Sequence, residues 1–518
     1  MPPGRAFPLL LFLLSMAFGG DPPAIRRHGV VNAASQRPTA AGGAIARGSL
    51  ISIYGVRFSR DIPPNRVTLE TAGHSRALTV VRADAERLDA WIPADVRPGA
   101  ARLTVTSNGL AAEPEPVVIR KAAPGLFSRN GQGWGPALAD NLSGAARSPN
   151  GIANSAAPGT RLVLAVTGIM PADTPRILVG NAFARVVSIR PAVPPAYTAE
   201  ITIEVPLQAF EGCYVPVYAR LPGAPPSNVV TIAVHRGGGA CISSPDDPST
   251  GWQGGKTAIV LLSRTVRRTL DAPEERVEDE ANAAFTDIPQ DRSRTSPLLL
   301  LPPPGSCAAY AGVLSQGTAV GSSVWTLLFG GVLGQGLDAG RSIEIHNQAG
   351  QLRVPFVSGA PGLYRRTLPG APRPSPQTHI SFDAGRIGIS GSGGGQVGPF
   401  AVALPAPEAF TGGLPPGPID RSRELTVEWK AANSEGSLVI VLVGIDRNLN
   451  VAGLTYCNAP KAAGRFTIPA ELLAQLPPGT GDLVMASWTV RIVNPPPSGI
   501  WRMMALSVFA RSSEATIE

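Results

Sequence analysis

The chain has 518 residues, 44% of them hydrophobic and 16% charged, and this balance excludes a disordered polyelectrolyte. Its 58 glycines and 53 prolines are typical of many short strands joined by turns. The net charge is +8, but the arginines are scattered and no basic stripe alternates with aromatic residues, so we expect no nucleic-acid partner.

The N-terminus predicts export from the cytoplasm. Residues 1–19 contain Arg5, the apolar block PLLLFLLSMAF and the small-x-small site Ala17-Phe18-Gly19, which together indicate a cleaved secretory signal peptide. The apolar block is too short to span a bilayer, which needs about 20 residues. An uncleaved anchor is the alternative. We expect no transmembrane segment after signal removal and a secreted protein, extracellular or on the cell surface, with the periplasm as another address.

Short runs that alternate apolar and polar residues recur along residues 24–236. They are rich in β-branched residues and are bounded by turn formers, as half-buried strands should be. Four blocks return in order after 110 to 113 residues: Gly48 to Ile53 at Gly159 to Leu164, Arg66 to Leu69 at Arg176 to Val179, Trp91 to Pro93 at Glu204 to Pro206, and Glu115 to Ile119 at Asn228 to Ile232. About seven strands in about a hundred residues match an immunoglobulin-like sandwich. The sequence therefore predicts an all-β protein with tandem immunoglobulin-like β-sandwiches at 24–121 and 122–236.

The order of motifs in this region resembles a known family. The blocks VVNAAS (30–35), Gly48 to Gly55, AAPGLF (122–127) and SNVVTIAV (227–234) are similar to an uncharacterised domain of secreted acidobacterial proteins. The first half also resembles IPT/TIG domains, the immunoglobulin-like fold of plexins and some transcription factors, through Gly48, Ile51, Ile53, Gly55 and Phe58. The resemblance covers about residues 29–236 and implies no catalytic residues. Such domains usually look like C-terminal attachments, and here the unit lies near the N-terminus. VVNAAS itself predicts a short strand followed by a compact turn of small residues.

Beyond Cys241 the composition changes. The stretch SSPDDPSTGWQGG is rich in turn residues and predicts a linker over residues 237–255. Strand-like runs on either side of the break TGGLPPGP predict a further β-rich domain over 250–405 and a β-rich immunoglobulin-like domain over 406–518. One composite domain is the alternative. Only PAELLAQL predicts a short helix.

Four cysteines in an exported chain favour disulfides, and they allow three connectivities. Cys213 and Cys241 flank the strand-like runs YVPVYARL and SNVVTIAV, so a bridge between them would join neighbouring strands of one domain. Cys307 would then pair with Cys457 and tie the two C-terminal stretches together. Free cysteines, or pairing between chains, are the alternative.

Three short motifs suggest ligands but lack their expected surroundings. Asp446, Asn448 and Asn450 place oxygens at alternate positions, as calcium loops do, yet the glycine expected at the sixth position is Val451. A polar hairpin loop is the stronger interpretation. GWQGGKT (251–257) and GGGQVG (393–398) resemble phosphate and dinucleotide loops, but strand-like runs follow them where a helix is required. We therefore predict no cofactor.

No set of residues indicates a reaction. The five histidines are isolated, and neither an HExxH nor a GxSxG motif occurs. The sequence predicts a non-enzymatic protein with an adhesion, binding or structural role, whose partner is an extracellular protein, a glycan or a cell surface. Aromatic anchors supply most of the energy at such interfaces, and Trp134, Trp252 and Trp325 are candidates that fit a packing role equally well. The alternative is a secreted polysaccharide or ester hydrolase with its site within 250–518.

Overall fold

The computed structural model describes residues 21–191, 198–241, 255–271, 274–288, 300–313, 334–369, 380, 382, 385–413, 417–448 and 451–518. Strands supply nearly all of the regular structure there, which confirms the predicted all-β class. Within this part of the chain, no helix combines the length and hydropathy that crossing a bilayer requires. The predicted signal peptide, residues 1–19, lies outside the described residues.

The first sandwich is an immunoglobulin-like unit of nine strands. They are β1 (Ala24–Asn32), β2 (Ile45–Ala46), β3 (Leu50–Val56), β4 (Arg66–Thr71), β5 (His74–Ala83), β6 (Arg87–Trp91), β7 (Gly99–Ser107), β8 (Leu110–Ala111) and β9 (Glu115–Arg120). Their order is β1-β3-β6-β5-β4-β7-β9-β2, with β8 beside β7. A 3-10 turn, Thr39–Ala41, lies between β1 and β2.

Strand β5 connects the two layers of this sandwich. Its first half, His74 to Leu78, pairs with β4, and its second half, Thr79 to Ala83, pairs with β6 across an irregularity. A bulge bends a strand and increases its twist. The strand can therefore leave one sheet and enter the other while both sheets cover a single core.

The second sandwich repeats this arrangement. Its strands are β10 (Gly125–Leu126), β11 (Ala139–Ser143), β12 (Ala146–Pro149), β13 (Arg161–Thr167), β14 (Arg176–Val179), β15 (Ala182–Arg190), β16 (Ala199–Glu204), β17 (Gly212–Arg220) and β18 (Val230–Val234). The order β13-β16-β15-β14-β17-β18 matches β3-β6-β5-β4-β7-β9, and β15 passes between layers as β5 does. The repeat in the sequence therefore corresponds to a repeat of topology.

The remaining strands belong to a third unit. They are β19 (Gly255–Arg268), β20 (Arg276–Ile288), β21 (Ser306–Val313), β22 (Gln335–Gly336), β23 (Ser342–Asn347), β24 (Gly350–Pro355), β25 (Leu363–Pro369), β26 (Arg386–Gly391), β27 (Phe400–Pro405), β28 (Phe410–Gly413), β29 (Leu425–Ala431), β30 (Ser437–Asp446), β31 (Val451–Pro460), β32 (Arg465–Ile468), β33 (Gly479–Val493) and β34 (Arg502–Ile517). A 3-10 turn spans Lys461–Ala463, and the predicted short helix spans Ala470–Leu473.

This third unit has three layers. Its central sheet has the order β21-β31-β30-β33-β34-β19-β20-β22, with β25 beside β20, and two smaller sheets have the orders β24-β23-β26-β27 and β28-β29-β32. Leu261 of β19 belongs to the hydrophobic cluster that includes Trp429 of β29. Its neighbour Leu262 belongs to the cluster that includes Ile345 of β23. Because successive side chains of a strand point to opposite faces, the smaller sheets cover opposite faces of the central one.

Residues 406–518 do not form an immunoglobulin-like sandwich by themselves. Their strands β30, β31, β33 and β34 share the central sheet with β19, β20, β21, β22 and β25 from residues 250–405. Strand β34 pairs in parallel with β19 from Arg502 to Ser513. Without β19 this long strand would carry an unpaired edge inside the protein, which is costly for backbone groups.

Both predicted cysteine pairs lie at disulfide distance. The Cα atoms of Cys213 and Cys241 are 5.6 Å apart, within the second sandwich and its C-terminal extension. Those of Cys307 and Cys457 are 4.0 Å apart, because the two residues lie opposite each other on β21 and β31. The second bridge spans 150 residues and crosses both predicted C-terminal stretches.

Candidate functional site

The segment from Val30 to Gly43, here called the junction segment, contacts all three units. It leaves β1, passes through the first 3-10 turn and leads to β2. Small side chains let it lie in the interior, where Ala33, Ala34 and Ala41 are at most 4% exposed. VVNAAS is therefore the buried end of β1, Val30 to Asn32, followed by a compact turn, as the sequence predicts.

Asn32 fixes this turn and ties it to the second sandwich. It is 1% exposed at the end of β1. Its side-chain oxygen accepts hydrogen bonds from the backbone N–H groups of Ala34 at 2.9 Å and Ser35 at 3.1 Å, an arrangement that replaces backbone pairing in an Asx turn. Its side-chain nitrogen donates to the carbonyl oxygen of Ala123 at 3.0 Å. One side chain therefore joins VVNAAS to AAPGLF.

Asn228 has a corresponding role in the second sandwich. It is 3% exposed, and its side-chain oxygen accepts a hydrogen bond from the N–H of Leu126 at 2.9 Å. Its side-chain nitrogen donates to the carbonyl oxygens of Leu126 and Gly133, both at 2.8 Å. This asparagine therefore joins SNVVTIAV to AAPGLF.

Close backbone approach completes the contact between the two sandwiches. The N–H of Leu50 donates to the hydroxyl oxygen of Thr167 at 2.8 Å. Within the second sandwich, Gly168 has φ 72°, and a Cβ built there would lie 2.0 Å from the carbonyl oxygen of Ala123, which accepts the hydrogen bond from Asn32. A Cβ on Gly125 would lie 2.3 Å from the side-chain oxygen of Asn32. Glycine is thus required at both positions.

The junction segment also contacts the three-layer unit. Ala41 forms a small apolar cluster with Ala311 and Val451. A Cβ built on Gly42 would lie 2.9 Å from the carbonyl oxygen of Ala474. The turn therefore packs against both strand and helix segments of the C-terminal unit.

Arg37 is a buried cation within the junction segment. It is 4% exposed, and its guanidinium donates to the carbonyl oxygen of Pro226 in the second sandwich. Its Nε has no hydrogen-bond partner among the described atoms. Burial lowers the pKa of Arg37 to about 10, with no carboxylate among the causes. An anion near this side chain would therefore be favoured electrostatically.

Trp134 packs the second sandwich against the three-layer unit. It is 5% exposed, and its ring meets Tyr310 edge to face with centroids 5.7 Å apart. Cys213, Tyr214 and Leu300 complete the same cluster. The predicted use of Trp134 as an anchor for a partner is therefore corrected, because its ring is enclosed by the protein.

The other predicted site residues lie elsewhere. Trp252, Trp325 and Asn450 fall outside the described residues. Asp446 and Asn448 lie in the hairpin between β30 and β31, where the carboxylate of Asp446 accepts a hydrogen bond from the N–H of Asn448 at 3.0 Å. Within the described ranges, no three histidine, cysteine, aspartate or glutamate residues group in a way that could hold a metal ion.

A cleft of about 890 Å³ opens on the first sandwich beside the junction segment. Its walls come from β1, β2, β4, β5, β7 and β9, from the segment that leads to β2 and from the turn between β4 and β5. Its ionisable side chains are His28, Arg37, Glu70, His74, Arg102, Glu115 and Arg120. The cleft therefore contains three arginines and two carboxylates.

Two residues with a Cβ have left-handed backbone at the cleft, which is uncommon: Ala72, in the turn between β4 and β5, has φ 44°, and His28 has φ 56°. The N–H of His28 donates to the carboxylate of Glu115 at 3.0 Å, which holds its conformation. Strained backbone that the surroundings hold in place occurs often at binding sites.

Sequence reasoning missed both the junction and the cleft. The cleft residues lie between positions 28 and 120 on six strands and a 3-10 turn, so no local motif contains them. For the junction, one signal was present: single asparagines stand among small or β-branched residues in VVNAAS and SNVVTIAV. A polar amide in an apolar run predicts a buried hydrogen-bonding role.

Comparison with known proteins leaves the family open. No family model and no curated protein matches the chain. Among solved structures, a tetra-tandem repeat from the extending region of a large adhesion protein has 12% identity over 94% of this chain and 98% of its own, at a TM-score of 0.15. A Bacteroides ovatus protein from a mixed-linkage glucan utilization locus, in complex with a heptasaccharide, has 11% identity over 87% of this chain and 92% of its own, at 0.15. Domains 5–6 of the S-layer protein SbsC have 12% identity over 41% of this chain and 98% of their own, at 0.19. Overlaps this low carry no argument about function.

Proposed function

We propose that this chain is a non-enzymatic extracellular or cell-surface protein that holds its β units in fixed relation in order to bind or support a partner. The junction segment carries the proposal. Three units meet there through buried hydrogen bonds of Asn32 and through backbones that only glycine allows to approach. Units within a chain ordinarily move relative to one another unless their interface is buried and well packed.

The second sandwich and the three-layer unit add to this rigidity. Arg220 forms an ion pair with Glu471, and the side-chain nitrogen of Gln475 donates to the carbonyl oxygen of Ser227 at 3.4 Å. Gln475 is 1% exposed, so this bond is shielded from water. A protein built in this way holds its units at fixed distances and orientations, as a spacer or a binding scaffold requires.

The proposal includes an organisation of the chain. We divide it into a secretory signal at 1–19, sandwiches at 24–121 and 122–236, a linker at 237–255 and one composite domain over 250–518. The strands that residues 250–405 and 406–518 contribute to one sheet support the composite domain. Two disulfides support an oxidising compartment. We also infer membership of the acidobacterial secreted-domain family that the motifs resemble.

Cell fractionation and a binding assay test the proposal. An antibody should find the chain outside the cytoplasm, and the purified, disulfide-intact protein should be retained saturably by envelope, cell-wall or matrix preparations. A matched control is the same protein denatured and reduced, which should lose retention. A cytoplasmic location, or native protein that no preparation retains, would contradict the proposal. Turnover of a polysaccharide or ester that a single change within 255–518 abolishes would establish the hydrolase alternative.

A further inference from the structure

We propose that the cleft of the first sandwich binds an acidic peptide segment of a partner protein, which lies extended beside β9. This inference deepens the proposed function and rests on it. It names the partner as a protein with an exposed, carboxylate-rich strand. Two observations support it: a free strand edge and an excess of arginine in the cleft beside it.

The free edge belongs to β9. On one side β9 pairs with β7 from Glu115 to Ile119. On the other side β2 pairs only with Ile119 and Arg120. Among the described residues, no strand pairs with the second edge of β9 from Glu115 to Val118. An extended peptide can add to such an edge through main-chain hydrogen bonds, in which Pro116 can only accept because it has no N–H, and side-chain contacts then supply specificity.

The cleft beside this edge has the volume of a binding site. Its 890 Å³ lies within the range of about 300–1,000 Å³ that is typical of ligand clefts. Val118, which is 54% exposed, offers an apolar contact on the floor. No phenylalanine, tyrosine or tryptophan is present among the described lining residues. The flat stacking surface that favours a sugar ring is therefore missing, and this favours a peptide over a glycan.

The charges favour carboxylates on that peptide. Arg102 and Arg120 are exposed in the lining, and neither forms a salt bridge within the part of the chain that the structure describes. Arg37 adds a buried positive charge at the inner end. A planar guanidinium binds a carboxylate through two parallel hydrogen bonds.

The carboxylate of Glu115 does not neutralise Arg120. It accepts the hydrogen bond from the N–H of His28 on β1 at 3.0 Å. Glu115 and Arg120 are the two ends of β9, and their Cα atoms are about 16 Å apart in an extended strand, so this carboxylate does not reach the guanidinium. Arg120 is therefore available for a ligand.

A synthetic peptide tests the inference in solution. The probe is Glu-Val-Glu-Val-Glu-NH₂ with fluorescein on its N-terminus in place of an acetyl group, and its alternation places all three carboxylates on one face of a strand. Fluorescence anisotropy with the full mature chain should show saturable binding. Arg102→Ala and Arg120→Ala should each weaken it about tenfold, as expected for a charge-assisted hydrogen-bonded pair. Arg66→Ala, which removes an exposed arginine of β4 outside the cleft lining, should leave it unchanged.

Two further probes separate the contributions of backbone and charge. The same peptide with N-methylated amides keeps its carboxylates and should bind at least about tenfold more weakly if strand pairing contributes. The lysine version, Ac-Lys-Val-Lys-Val-Lys-NH₂, should not bind. Far-ultraviolet circular dichroism confirms that each variant is folded, which is expected because these arginines are exposed.

Several results would overturn the inference. The acidic peptide could fail to bind at about millimolar concentration, or Arg66→Ala could weaken binding as much as the two cleft variants do. Equal binding of the N-methylated peptide would remove the strand-pairing argument. An oligogalacturonate that binds through Arg102 and Arg120 while the peptide does not would assign the cleft to a glycan. None of these results affects retention on envelope preparations, so this inference and the proposed function can fail separately.

Discussion

Replacing Asn32 with alanine tests whether one side chain holds the junction segment in place. The change removes the hydrogen bonds accepted from Ala34 and Ser35 and the one donated to Ala123. These three residues are 1%, 4% and 2% exposed, so water cannot easily replace the lost amide. At about 1 kcal/mol for each net hydrogen bond, the local stability should fall by about 3 kcal/mol.

Hydrogen–deuterium exchange measures this loss on the full, disulfide-intact chain. A decrease of about 3 kcal/mol raises the opening equilibrium constant about 150-fold, and exchange rises in proportion where opening is local. Peptides that cover residues 30–36 and 122–127 should lose protection to this extent. A peptide from β30 should exchange as in the wild type, because that strand lies in the middle of the central sheet.

Two variants control the experiment. Asn32→Asp keeps an oxygen for Ala34 and Ser35 but loses the donor to Ala123, so protection should fall mainly at 122–127. Asn433→Ala removes a similar turn bond, accepted from Glu435 at 2.8 Å, on an exposed loop, and should have little effect. Exchange in Asn32→Ala that matches the wild type would refute the reasoning, since the segment would then be held by packing alone.

Two further changes test the C-terminal unit and the disulfides. Replacing Cys307 and Cys457 with alanine should lower the free energy of unfolding by about 1.5 kcal/mol more than the same change at Cys213 and Cys241, because their separations are 150 and 28 residues; urea titrations of both variants measure this, and equal losses would contradict it. Burial raises the pKa of Asp482, so the folded state favours the protonated carboxyl and loses stability as the pH rises above the ordinary aspartate pKa of about 4. Asp482→Asn should therefore raise the melting temperature at neutral pH and leave it unchanged at about pH 3; an equal gain at both values would show that the carboxylate charge is not the cause.

The sequence predicted the two N-terminal sandwiches because their strands carry local signals. Arg66 and Arg176 begin equivalent strands, β4 and β14, and the repeated blocks around them fall on the same positions of the topology. Alternation with a period of two marks half-buried strands, and turn residues mark their ends. Because the second sandwich repeats the blocks of the first, each strand signal occurs twice in the sequence. The sequence therefore predicts both the individual strands and their order along the chain.

The boundary between the C-terminal stretches could not be predicted in the same way. TGGLPPGP (411–418) is a strong turn signal, and β28 ends within it at Gly413, while β29 begins at Leu425. Sheet membership, however, depends on pairing between β19 and β34, whose paired residues lie about 245 positions apart. Parallel pairing over such a distance leaves no local pattern in the sequence. The turn-rich stretch TGGLPPGP therefore does not mark a boundary between two separate sheets.

The candidate cleft escaped prediction for a related reason. Arg102 and Arg120 lie on different strands, and nothing in their immediate neighbours distinguishes them from other surface arginines. Their significance comes from their shared place in the lining of one cleft, beside the free edge of β9. This grouping is a property of the assembled sandwich. The sequence shows that these arginines exist, but it does not predict that they line the same cleft.

The buried asparagines explain why three separate motifs occur together in this chain. Asn32 in VVNAAS and Asn228 in SNVVTIAV both donate to carbonyl oxygens of AAPGLF, at Ala123 and Leu126 respectively. An asparagine at such a position forms hydrogen bonds with backbone groups that would otherwise be buried without partners. Replacing it therefore leaves a backbone group of another motif without its hydrogen bond and lowers stability there. The three motifs consequently depend on one another although about 90 to 190 residues separate them. The three motifs in this order therefore indicate a fixed, hydrogen-bonded contact between the two sandwiches. A chain that has all three motifs should form this contact whatever ligand its cleft accepts.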